Sequence, residues 1–431
     1  MAATVSVARL LALPESLQAE IVSRVPRRVL QHLLLAAPVV SHLALMGLTY
    51  IDSASLLRRP VHLLQDLPLP SVKRLDVKSF SDALGELLTR NHAFVERLKH
   101  VNIGAKAIVD GSIISKLRSV PSFNIIQKRH PGVIDMLGEM SGFSSLRHLK
   151  LDVGEPLTRA AADSDTGLQV GIAAAVTHVS MKSCLTSLCI IWRPTTVVTI
   201  PVSEFTQIRR LNVSVTGSLG LHWQDLLVQC QLLTRLVDLV LCVDRPLLRA
   251  SSPQQDGVTG LTCLIRGNDM GSEEFNVLST AFPRVRDLLL DHDALLGGLS
   301  AYDFFSAWGR HCTVIESLKL DWIDGDMIDF CAALHAHFGG LTTLTIQDTF
   351  FRNPGDLQTV LCFLAPKLNL RLVKFFFRNR SEYIEGVVDT AMELFRRPML
   401  FVFKSGSIRN AGWENPGYEE DEDTDEDDDD L

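Results

Sequence analysis

No C-x-x-C pair, no glycine-rich phosphate loop and no G-x-S-x-G elbow occurs in this 431-residue chain. Each absence removes a mechanism: dithiol redox exchange, phosphate cradling by backbone amides, and acyl transfer from an exposed serine. The eight cysteines (Cys184, Cys189, Cys230, Cys242, Cys263, Cys312, Cys331 and Cys362) are scattered. They read as reduced, buried thiols of a cytosolic or nuclear protein. A concentrated charge of one sign is also missing from most of the chain. Eleven acidic groups sit in residues 419–430 (EEDEDTDEDDDD), and the remainder carries 42 basic against 39 acidic residues. That near-balance argues against nucleic acid as a partner.

Charged residues are absent from Val29 to Ile51. A run of this length could span a bilayer of about 30 Å. Gln31, His32, Pro38, Ser41 and His42 dilute it, however, and two short helices around Pro38 explain the same hydrophobicity, so no membrane association is expected. Glu15 and Glu20 argue against a transit peptide in the opening residues. Two glycosylation-type triplets start at Asn212 and Asn379; the first lies inside a predicted strand, and no secretory signal accompanies them.

What the chain does have is a period. An apolar residue, two free positions, an apolar residue, one free position and a third apolar residue recur from Val72 to Phe375, as in VKRLDV at Val72, LRHLKL at Leu146 and LTTLTI at Leu341. The first residues fall at 72, 98, 120, 146, 185, 208, 236, 261, 285, 315, 341 and 370; the copy at Leu261 ends on Arg266 and is damaged. One short strand per repeat marks a solenoid in which each unit buries its apolar edge against its neighbours. Amphipathic segments lie between the strand motifs, starting at Gly85, Trp223, Glu273, Tyr302, Asp326, Asp356 and Val387. Strand then helix, repeated with a right-handed crossover, predicts an α/β solenoid: a horseshoe with parallel strands on the concave face and helices on the convex face.

Residues 1–59 read as a helical unit, with Pro14 and Pro26 each suited to a first helical turn and a third short helix over about 40–48. Residues 60–405 hold about twelve repeats, with LFVFKS at Leu400 as a weak last copy. The interval after Leu151 contains PLTRAAADSDTGLQVG, which reads as a loop insertion. Residues 406–431 form an acidic tail too polar to bury a core.

The repeat resembles the leucine-rich repeat over about three-quarters of the chain. Where that family usually places Asn, this chain has Asp244, Asp269 and Asp293, or Thr216 and Thr349, which steers the resemblance to the divergent type found in ubiquitin-ligase receptors. Leu13-Pro14-Glu15-Ser16-Leu17, continuing through Ile21, Val25 and Leu30, resembles the F-box. That resemblance implies adaptor binding through Leu13, Pro14, Leu17, Ile21, Val25 and Leu30, with a Skp1-like adaptor and a cullin ligase as partners. The usual Arg/Trp-type residues near the end of that motif are replaced by Val40-Ser41-His42-Leu43, and a simple cap for the solenoid is the competing reading.

Side-chain alternation assigns the free positions of each motif to the concave surface. The early repeats place Arg74, Asp76, Lys78, His100, Asn102, Asn124, His148, Lys150 and Asp152 there, a polar end. The central repeats place Cys189, Ile191, Val240, Cys242, Cys263 and Ile265 there, extended by Leu289, Leu372 and Phe376, with Asp287, Asp291, Lys319 and Asp321 between. Cys189, Ile191, Val240, Cys242, Ile265 and Leu289 are therefore the expected binding strip for an unknown protein substrate. An apolar centre with a polar margin is the anatomy of a protein-binding surface; cover by a segment of the same chain is the alternative.

No catalytic residue, cofactor or metal is expected. Cys331, His335 and His337 share helical spacing, but no fourth ligand lies near, and a core cysteine with surface histidines is the favoured reading. The tail reads as a solvated segment, as a ligand for a basic partner, or as a shield for a basic patch, and Thr424 suits an acidophilic kinase. The expectation that results is a substrate-recognition subunit of an SCF-type (Skp1-cullin-F-box) ubiquitin ligase, cytoplasmic or nuclear. The alternative is a leucine-rich scaffold or regulator without a ligase link, its tail on a basic partner.

Overall fold

The computed structural model describes residues 18, 50–52, 72–77, 82–104, 111–127, 131–140, 142–153, 183–192, 201–215, 223–243, 254–265, 272–290, 301–320, 327–346, 362, 364, 369–377 and 400–405. The F-box-like positions, the insertion after Leu151, the helical patterns at Asp356 and Val387 and the acidic tail lie outside this set, apart from Gln18, which is helical and buried, and the helical positions Cys362 and Leu364.

Among the described residues, fourteen strands form one open sheet in strict chain order, every neighbouring pair parallel. They are β1 (Tyr50–Asp52), β2 (Arg74–Val77), β3 (His100–Ile103), β4 (Ser122–Gln127), β5 (His148–Val153), β6 (Ser187–Trp192) and β7 (Arg210–Val215). Then follow β8 (Asp238–Val243), β9 (Gly260–Ile265), β10 (Asp287–Leu290), β11 (Ser317–Leu320), β12 (Thr343–Ile346), β13 (Leu372–Phe377) and β14 (Leu400–Ser405). Strand order equal to sequence order is the signature of an α/β solenoid, because each unit pairs only with the one before and the one after. The sheet begins earlier than the motif: β1 pairs with β2 from within the stretch read as helical.

The apolar triplet explains the core. First positions such as Val72, Val120, Ile208 and Leu341 are 0% exposed, as are the second positions Leu75, Val101, Leu239 and Leu344. Where that residue is described, a fourth buried position precedes the triplet by three residues, as Leu117, Phe143, Phe205, Phe282, Cys312 and Phe338 do. Phe143 meets Phe123 with ring centroids 5.8 Å apart. The triplet alone does not reveal this row, because it falls in the turn after each helix.

Register corrects one repeat. Leu261 pairs with Leu239 and Leu288, so the ninth strand carries Val258-Thr259-Gly260-Leu261-Thr262-Cys263 as an intact copy beginning three residues earlier than the damaged one. Because side chains alternate with a period of two, an odd shift moves every residue to the other face. Ile265 takes the register of Val243 and Cys263 that of Leu241, the core-facing row; Thr262 and Leu264 take the row of Val240 and Cys242.

Eight helices connect the described strands: α1 (Asp82–Arg90), α2 (His92–Arg97), α3 (Gly111–Lys116), α4 (Pro131–Met140), α5 (Trp223–Gln231), α6 (Ser272–Ala281), α7 (Ala301–His311) and α8 (Met327–His337). Each turns apolar residues inward at helical spacing, as Leu84, Leu87 and Leu88 do in α1 and Phe305 and Trp308 in α7. Asn91 starts α2 by accepting the Phe94 amide at 3.0 Å, which satisfies one of the free N–H groups of a helix start. α7 and α8 approach most intimately at Gly309, where a Cβ would run into the Cβ of His337.

The asparagine substitutes named from sequence, Asp244, Asp269, Asp293, Thr216 and Thr349, lie outside the described residues. What ties the repeats together is the residue after the first apolar position. The Lys73 carbonyl accepts both the Lys99 and His100 amides, at 2.8 and 3.1 Å; the Arg147 carbonyl accepts those of Thr186 and Ser187, and the Glu316 carbonyl those of Thr342 and Thr343. Side chains add to the tie: the Cys312 thiol donates to the Phe282 carbonyl at 2.9 Å, and Gln255 Nε2 to the Leu227 carbonyl at 2.7 Å. Phe282 directly follows α6, so the thiol meets a carbonyl at a helix end, where acceptors are left unpaired.

Candidate functional site on the open sheet face

One face of the sheet is spent on the core, so the positions between the triplet residues form the other face, and their chemistry is free of the packing rule. Its N-terminal end is a connected polar network across three strands. Arg74 Nε donates to Asp76 Oδ1 at 3.0 Å, and Asn102 Nδ2 donates to the same oxygen at 2.8 Å. His100 lies between Asn102 Oδ1, 2.5 Å from Nε2, and Ser122 Oγ, 2.8 Å from Nδ1. In-register pairing of Asp76 with Asn102 and of His100 with Ser122 places these groups one strand apart. Burial lowers the His100 pKa against the opposing hydrogen bond from Asn102, favouring the neutral ring. His148, two strands further, is also lowered, by desolvation and then by the positive charges of Arg210 and Arg147.

The expected polar residues Arg74, Asp76, His100, Asn102, Asn124, Lys150 and Asp152 are half-buried and His148 is exposed; Lys78 is outside the described set. Asn124 Oδ1 is buried without a hydrogen-bond partner.

The centre departs from expectation. Cys189, Val240 and Cys242 are 8%, 6% and 3% exposed, so they do not form an exposed strip. Ile191 and Leu289 are half-buried on the same face, and Ile265 leaves the set through the register shift. Asn212 stands in the same row, in register with Cys189 and Val240, and is itself 4% exposed with Oδ1 unpartnered. A polar residue in the middle of this row was visible in the sequence as the free position of IRRLNV; its burial also rules it out as a glycan acceptor. Desolvation pushes the Cys189 thiol up to about 12, with Lys150 opposing, so it stays protonated near neutral pH.

A second row, nearer the strand starts, holds Asp287, which alternation in the sequence places on this face, together with Arg210 and Asp238, which reading only the apolar positions of the central repeats passes over. Arg210 Nε and Nη2 both donate to Asp238 Oδ2 at 3.2 Å across β7 and β8. Asp287 follows on β10, its pKa raised by burial and then by Glu316 and Asp238. The row thus runs from cationic and imidazole groups at β2–β7 to carboxylates at β8–β10.

Away from this face, Cys184, Cys230 and Cys312 are buried, as expected of core thiols, whereas Cys362 is exposed. Burial pushes Cys230 and Cys312 up to about 12. His335 is exposed, and His337 Nε2 lies 2.9 Å from Ser306 Oγ of the preceding helix. Among the described residues no group of three or more His, Cys, Asp or Glu side chains could hold a metal ion. No described helix is long and apolar enough to cross a membrane.

No family model matches the chain, and no curated protein matches it. Among solved structures, it is similar to a chain in the structure of the Toll–Spatzle complex, a molecular hub in Drosophila development and innate immunity, with 12% identity and a TM-score of 0.35. The match covers 80% of this chain and 49% of that one, so this chain spans about half the length of the structure it matches.

Proposed function

We propose that this chain is a protein-recognition solenoid of the leucine-rich repeat kind, acting as the substrate-recognition subunit of an SCF-type ubiquitin ligase. The observation that supports recognition is the division of the sheet into two chemistries. The core row repeats apolar residues strand after strand, while the opposite face changes from the Arg74–Asp76–Asn102–His100–Ser122 network to the Arg210–Asp238 pair. A face whose residues are not dictated by packing is free to encode a partner.

The ligase link rests on Leu13, Pro14, Leu17, Ile21, Val25 and Leu30, the F-box-like positions. In this reading the chain makes no bond itself. It holds a protein substrate on the sheet and raises the effective concentration of substrate lysines beside a ubiquitin-charged enzyme. Co-purification with Skp1 tests it: the full chain retains the adaptor, and Leu13→Asp with Leu17→Asp releases it. Adaptor binding that survives the double substitution refutes the ligase role. An adaptor-free complex that depends on residues 419–430 would favour the scaffold reading instead.

A further inference from the structure

The position after the first apolar residue holds an exposed cation in six repeats, Lys73, Lys99, Arg147, Arg209, Arg286 and Arg371; Pro121, Thr186, Val237, Thr259 and Thr342 stand there in others, and Glu316 does so beside β11, its Oε1 3.8 Å from Arg286 Nη1. The Lys73, Arg147, Arg209 and Arg286 carbonyls each accept two amides of the next repeat, which holds the backbone at these positions in register along the strand-start edge. Neighbouring strands lie about 4.8 Å apart. The result is an interrupted row of cations along one edge of the sheet, beside β2, β3, β5, β7, β10 and β13. It is a surface the open-face site does not use.

We infer that this row is the docking site for the chain's own acidic tail, residues 419–430. Charge complementarity favours it: the tail carries eleven acidic groups, and six exposed cations line this edge. Reach permits it. β14 ends at Ser405, and residues 406–418 separate it from the tail. Thirteen residues extend to roughly 43 Å. Arg286, beside β10, is four strands away, about 19 Å along the sheet, plus about 20 Å across the strands, a diagonal of roughly 28 Å. From there the twelve tail residues, about 40 Å when extended, cover some eight strand spacings and pass Arg209 and Arg147 toward Lys99. Tethering raises the local concentration of the tail far above that of a separate acidic ligand, to the millimolar range. The tail would therefore screen this edge from acidic partners, and a basic partner that captures the tail would uncover it.

The test keeps the full chain. A variant with Asp→Asn and Glu→Gln throughout 419–430 retains length and loses charge, and a fluorescein-labelled peptide of residues 419–430 is titrated into it by anisotropy. The peptide is expected to bind this variant at least about tenfold more tightly than the unaltered chain, whose own tail competes. Raising the salt from about 50 to about 300 mM should weaken binding by about tenfold or more. Adding K99E, R209E and R371E should abolish binding. R90E with R310E, exposed cations off the row, should leave it intact, with unchanged circular dichroism in each case. Equal binding to the unaltered and amide-tail chains overturns the inference. So does equal loss in the R90E/R310E variant, or a bound DNA duplex that the peptide fails to displace.

Discussion

Gly309→Ala and Gly138→Ala make the same chemical change in two helices and should move stability in opposite directions. Replacing a helical glycine by alanine gains up to about 1 kcal/mol from backbone entropy alone. At Gly138 in α4, nothing lies within 4 Å of the new methyl, so the gain is realised, at about 0.5–1 kcal/mol. At Gly309 in α7, the methyl would overlap the Cβ of His337, with the His337 backbone Cα only 3.1 Å away. Neither atom is the end of a flexible side chain, so α7 and α8 must separate, and overpacking of this kind costs about 1–3 kcal/mol or more. Net of the entropy gain, a loss of about 2 kcal/mol is expected, with the Ser306–His337 contact disrupted. Urea denaturation followed by circular dichroism reads the midpoints, and amide exchange localises the loss to α7 and α8. A Gly309→Ala midpoint that rises alongside that of Gly138→Ala would refute the close-approach argument.

Leu239→Ala, at a fully buried second position of the triplet, should cost about 2–5 kcal/mol by the same denaturation assay. Alkylation with iodoacetamide at pH 8, read by mass spectrometry, should label exposed Cys362 first and leave Cys189, Cys230 and Cys312 unmodified until denaturant is added, since burial holds their pKa values up to about 12. For His100, the folded pKa lies below that of the unfolded chain, so the unfolded state binds more protons on acidification. Stability should fall as pH drops below about 6.5, the unfolded value, and His100→Gln should flatten that part of the profile; a ring titrating above 6.5 by NMR would contradict this.

Solenoid architecture was legible because it depends on three apolar positions that repeat, and burial of Val72, Leu75 and Val77 shows why the spacing is obligatory. The copy at Leu261 takes another register for a physical reason. Leu261 and Leu264 mimic the first and second triplet positions, and only pairing with Leu239 reveals that Val258 is the first. The open-face polar end was readable by alternation, but burial at Cys189, Val240 and Cys242 was not. Alternation tells which face a residue occupies and says nothing about how densely that face is filled. Cys312 and Gln255 show the same limit, since donation to a carbonyl of the preceding turn depends on a neighbour some thirty residues away in sequence.

The double-acceptor carbonyl that recurs along the sheet has a consequence for length. A tie made of backbone atoms is the same whichever side chains flank it, so nothing in the joint distinguishes one repeat from the next or counts how many have been added. Termination must come from the ends. Among the described residues β1 and β14 lie at the two margins of the sheet, and a strand edge is where an extended chain can continue the pairing. An array built this way has to block its own growth at both margins, or copies of it will stack end to end.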